Sequence, residues 1–183
     1  DGAESLVPNR VDSVAGVAPE LVGPRMPVIH VSPEMQQKIL WGQRQLRADG
    51  MPSNGLIGAH SGSISNDLEN YAVQVLRNNP DGTSSVKLVT QFSDGIVSKI
   101  KTSTLYPKSW SELYIFDSIQ VVGSPSNAIA TRISDGSTLY QGAVNGINME
   151  VIKIGNRVTS AYPTGGGFTS LETFGLTPLL PKP

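Results

Sequence analysis

The chain has 183 residues, 38% hydrophobic and 16% charged, with a formal net charge of -1 and no cysteine. That composition excludes a disordered polymer, a disulfide scaffold, thiolate chemistry and a cysteine-ligated zinc site, and its size suits one domain with a ragged end. A pI near 6.1 argues against a generic basic nucleic-acid coat, though a local basic cleft can still bind phosphates on an acidic surface.

Residues 1–31 read as a linker. "VPNRVDSVAGVAPELVGPRMPV" carries Pro, Gly and Val without helical or strand period. The opening "DGAESLVPNR" shows no signal-peptide pattern and reads as the edge of something longer. No apolar run is long enough to span a membrane.

The first element is expected in "SPEMQQKILWGQRQLR". Ser32 suits the N-cap, Pro33 the first helical position and Glu34 the positive helix end. Met35, Ile39, Leu40 and Leu46 form an apolar stripe with Trp41 beside it, and "ADGMPSNG" breaks the helix. "GLIGAHSGSISND" follows, a small-residue loop around His60.

The period then changes from helix to strand. "YAVQVLRNNPDGTSSVKLVTQF" predicts a hairpin turning at "NNPDGT". "SDG" turns the chain into "IVSKIKTSTLYP". "SWSELYIFDSIQVVG" predicts a second helix capped by Ser109 or Ser111, with Leu113, Phe116 and Ile119 or Gln120 on one side. The final third, "NAIATRI" to "RVTSAYP", predicts neighbouring antiparallel strands. The tail from 169 to 183 is expected to be irregular and loosely held. Helices early and an antiparallel sheet later define an α+β domain over residues 32–168.

Few chemistries suit two histidines far apart in sequence. There is no G-x-S-x-G elbow, no phosphate-binding P-loop, no clustered carboxylate pair and no metal-ligand motif, so neither metal nor cofactor is expected. Three polar concentrations remain: His60 with Ser61 and Ser63; "SKIKTSTLYPK" with Lys99, Lys101, Thr104 and Lys108; and "RVTSAYP" with Thr159, Ser160 and Tyr162. Metal-free RNA cleavage needs a base for the ribose 2′-OH, an acid for the departing 5′ oxygen and positive charge for the phosphorane. Histidine suits either proton role and lysine supplies charge. Each group also has a plainer reading: a loop histidine, a solvated strand face, a packing tyrosine.

Taken in order, "KILWG", "GAHSGS", "KTSTLYPKSWSELYIFDSI" and "VTSAYP" resemble the bacterial EndoU-like nuclease domain, over about Gln36 to Gly165. The resemblance implies a fold shared with the barnase, colicin and RelE ribonuclease toxins, with N-terminal helices packed on an antiparallel sheet. It implies an endoribonuclease toxin, carried as the C-terminal part of a larger surface protein in contact-dependent growth inhibition. It would cleave RNA, often tRNA, in the cytoplasm of a rival bacterium, and would have a cognate immunity protein as partner. His60 fits the family's G-[GYA]-H position. Thr159 or Ser160 and Tyr162 match its C-terminal hydroxyl and tyrosine, and Lys101 and Thr104 fall near its phosphate site. Ser61 and Lys99 are further candidates for binding substrate.

One departure stands out. The family's earlier histidine, in H-I-L-x-G, is Lys38 here, a poor base at an ordinary pKa near 10.4. Burial of Lys38, recruitment of His30, or a one-histidine reaction would each answer the gap. Against the nuclease stands a β-rich binding or adhesin module in which His60 merely caps a loop.

Overall fold

The computed structural model describes residues 29–175; the expected linker and the last eight positions lie almost wholly outside them. Helix α1 is Pro33–Trp41, and the Ser32 hydroxyl accepts the Met35 N–H at 3.1 Å. It is shorter than the apolar stripe predicts. Gly42 takes φ +98°, a backbone open to glycine, and the chain leaves as strand β1, Gln43–Leu46, paired antiparallel with β2, Pro52–Ile57. Leu46, expected on the buried stripe, is 62% exposed on that hairpin. Leu46 lies seven residues after Ile39 and six after Leu40, spacings that fit a helix face or a strand face alike, and the glycine decides between them.

Strands β3 (Tyr71–Asn78), β4 (Ser84–Thr90) and β5 (Lys101–Leu105) form an antiparallel three-stranded sheet. The predicted hairpin is β3–β4, closed by an Asn79 N–H to Thr83 carbonyl bond of 2.9 Å. Helix α2, Glu112–Val122, is capped by Ser111, whose hydroxyl accepts from Tyr114. Its buried side is Ile115, Ser118, Ile119 and Val122; of the predicted Leu113, Phe116 and Ile119 or Gln120, only Ile119 is on it. Both sets suit a helical period; packing on the second sheet selects the one with the β-branched residues inward. Gln120 instead brackets Ile29, donating to its carbonyl and accepting from its N–H.

A short 3-10 turn leads to a four-stranded meander: β6 (Ala128–Thr131), β7 (Thr138–Val144), β8 (Ile147–Ile154) and β9 (Arg157–Pro163). The expected α+β class is the observed one. Within the stretch expected to be irregular, Leu171–Phe174 forms one helical turn, α3. Phe174 is buried there beneath the Arg132 guanidinium, which also donates to its carbonyl.

Two cores result. One joins both long helices to the meander through Ile39, Leu40, Ile115, Ile119, Met149 and Val151. The other lies under the three-stranded sheet and contains Leu56, Ala59, Ile64, Val86, Leu88 and Leu105. Trp41 packs against both. β9 touches both α1 and β5, so the seam between the cores runs past Ala59 and His60.

Candidate active site

The end of α1 builds the His60 loop. A helix leaves its last carbonyls without intrahelical partners. Here the N–H groups of Ala59, His60 and Ser61 donate to the carbonyls of Lys38, Ile39 and Leu40 at 3.0, 2.8 and 3.0 Å. This stitching requires close approach at Gly58: a Cβ there would lie 1.9 Å from the Lys38 carbonyl oxygen, and its φ is +79°. The glycine in "GAHS" is thus a packing requirement that also presents the histidine.

His60 is nearly buried, 9% exposed. Its Nδ1 lies 2.9 Å from the Thr104 carbonyl and 3.1 Å from the Ser103 hydroxyl, which itself donates to the Ala59 carbonyl at 2.8 Å. A carbonyl can only accept, so Nδ1 carries the hydrogen and Nε2 of the neutral ring keeps its lone pair. Burial, then the positive charge of Lys101, push the imidazole down to about 3; the bond to Thr104 opposes the shift and Lys38 adds to it.

The two lysines reach the same place from different elements. Lys38 Nζ, on α1, donates to the Thr159 carbonyl of β9 at 2.7 Å. Lys101 Nζ, on β5, donates to the Gly58 carbonyl at 2.6 Å. Burial, reinforced by Lys38, holds Lys101 down to about 8. Burial lowers Lys38 as well. The Tyr162 ring lies 5.8 Å from that of His60, tilted by 38°. Burial and the Glu150 carboxylate push the Tyr162 phenol well above the usual tyrosine range.

His60, Lys38, Lys101 and Tyr162 therefore converge. Thr159 contributes its carbonyl, at the extra residue of a β8–β9 bulge, while its hydroxyl donates to the Ile152 carbonyl. Ser160 is half-buried two residues before Tyr162 on β9, and its hydroxyl makes no described hydrogen bond. Thr104 acts through its backbone; its methyl faces Gly165. Ser61 is buried, its hydroxyl accepting from the Ser63 N–H. Lys99 is exposed ahead of β5, with its N–H on the Asn54 carbonyl and no described contact to the cluster. His30 forms a parallel bridge to Arg157, and no described contact joins its ring to His60.

A family model described as bacterial EndoU nuclease matches residues 32–165. The chain belongs to the bacterial EndoU nuclease family. No curated protein and no solved structure matches it. The EndoU match begins at the cap of α1 and ends just past β9, so it spans every element that carries the cluster. Membership implies a nuclease. Sequence reasoning did not single out Ser103 or Glu150, which the structure places against His60 and across from Tyr162. Strand parity offered a signal for the first, because Lys101 and Ser103 share a face of β5 while Thr104 lies on the other. Glu150 gave none, as a lone acidic residue in an apolar strand.

Proposed function

We propose that this EndoU domain is an antibacterial toxin ribonuclease that cleaves RNA, with tRNA among its targets, by metal-independent attack of the ribose 2′-OH. The observation that carries the reading is the fixed Nδ1–H of His60 beside two partly buried lysines. Nε2 takes the proton of the 2′-OH as O2′ bonds to phosphorus, and the P–O5′ bond breaks. An ammonium of the Lys38–Lys101 pair gives its proton to the departing oxygen. The products are a 2′,3′-cyclic phosphate and a 5′-hydroxyl; solvent then returns the proton from imidazolium to amine. The same two positive charges offset the developing phosphorane charge. Lys101, held nearer neutrality, is the better acid of the two.

In this reading the domain is delivered from a larger surface protein into a target bacterium, and a cognate immunity protein covers the basic cleft with an acidic face. The competing binding-module reading expects His60, Lys101 and Tyr162 far apart. A 5.8 Å ring contact and the charge of Lys101 acting on His60 count against it.

The test is incubation of wild type and His60→Ala with total bacterial RNA in EDTA, with product ends mapped. Discrete 2′,3′-cyclic phosphate ends that vanish in the variant support the proposal. Intact RNA in EDTA, with or without added elongation factors, overturns the mechanism.

A further inference from the structure

Glu150 is fully buried on β8, and no described cation pairs with it. Neutral donors surround it instead. Its Oε2 accepts from Gln141 Nε2 at 2.7 Å and from the Thr169 N–H at 2.8 Å, and its Oε1 accepts from the Thr169 hydroxyl at 2.5 Å. Gln141 stands directly across from it on β7 and Tyr162 directly across on β9. Gln141 Nε2 also reaches the Thr169 carbonyl at 3.1 Å. Tyr162 faces the same carboxylate from β9, and its nearness helps burial to raise the phenol well above the usual tyrosine range. A buried carboxylate survives only with its lone pairs satisfied, and this one is satisfied by two strands and the segment after β9.

We infer that Glu150 is the positioning residue of the nuclease site, its carboxylate fixing the Tyr162 phenol beside His60 and latching the segment after β9 through Thr169. The inference rests on the functional reading above. A carboxylate can only accept, so in a bond between the two the phenol would be the donor and its one proton would be committed to Glu150. Tyr162 then meets a substrate with oxygen lone pairs and ring face rather than with a free hydroxyl proton. A hydroxyl freed from Glu150 would rotate about its C–O bond and the ring would lose its anchor. The effect on cleavage passes through Tyr162, which makes it separable from a general loss of packing.

The experiment uses the full chain labelled with 13Cζ-tyrosine, with cleavage kinetics on the same samples. The variants are Glu150→Gln, Tyr162→Phe and the double substitution. Tyr162→Phe assigns the Tyr162 resonance among the five tyrosines. In Glu150→Gln that resonance should shift and titrate at lower pH than in wild type. kcat should fall roughly tenfold with KM little changed, as for a positioning residue that does not itself touch substrate. The double variant should be no slower than Tyr162→Phe alone. A Tyr162 resonance that ignores Glu150→Gln overturns the inference, as does a double variant slower than Tyr162→Phe by the full Glu150→Gln factor. Should Glu150→Gln fail to fold, Thr169→Val removes one donor and is expected to perturb the same resonance; an unmoved signal again overturns the inference. If His60→Ala cleaves as wild type, the functional reading fails on its own, whatever the resonance does.

Discussion

The Nδ1 of His60 faces the backbone carbonyl of Thr104 at 2.9 Å, so a strand from one sheet fixes the proton of a loop built on a helix end. The contact makes one ring nitrogen a permanent donor and turns the other into a base without any neighbouring carboxylate. It also ties the site to the folding of β5.

Acid should therefore destabilise this protein through His60. Its folded pKa, about 3, lies below the ordinary histidine value, so between those two the unfolded chain binds the extra proton. Stability from keeping the ring neutral is fully present above about pH 6.5 and is lost as pH falls toward 3. Between pH 7.5 and 4.5, urea unfolding of wild type should lose about 2 kcal/mol more than that of His60→Gln. Equal losses in both proteins would show that the ring is protonated in the folded state.

The rate profile carries the opposite limb. kcat/KM reports groups of the free enzyme. With His60 neutral down to about 3 and Lys101 charged up to about 8, kcat/KM should hold from roughly pH 5 to 7 and fall above 8. Lys101→Arg, which stays charged, should shift that alkaline fall upward at a lower overall rate. An acid limb with its midpoint near the ordinary histidine value, about 6.5, would contradict the assignment of His60 as a base that stays neutral well below it.

Position 38 offers a gain of function. A lysine ammonium is a weak acid near neutrality, even with burial lowering Lys38, whereas an imidazolium is well matched. Lys38→His should raise kcat about tenfold at pH 6 and add an ionisation near the ordinary histidine value. A drop of similar size would mean that the position serves by charge alone.

Gly58 is the mechanical point of the loop. Gly58→Ala forces a Cβ against the Lys38 carbonyl and strains a positive φ, so it should cost about 3 kcal/mol in urea unfolding. Cleavage should fall at least tenfold, because Ala59 and His60 lose their register on α1. Gly50→Ala supplies the control: φ is also positive there, with nothing within 4 Å, and about 1 kcal/mol with unchanged cleavage is expected.

What the sequence determined by itself is local. The Ser32 and Ser111 caps, the β3–β4 hairpin and the strands of the last third follow from residue period and turn chemistry, which act over a few positions. His60 was legible from its small neighbours and from motif order. The end of α1 was not, because Leu46, seven positions after Ile39 and six after Leu40, suits a helix or a strand face equally. Nor was the inward face of α2, since two helical stripes compete until a sheet covers one of them. Tertiary structure alone decided the arrangement of the candidate site. It buried His60 against Thr104, 44 residues away, carried Lys38 to Thr159, 121 residues away, and set Glu150 opposite Tyr162. Proton position, lowered lysine pKa and phenol placement all arise from desolvation and from contacts between distant strands, and no window of neighbouring residues contains either.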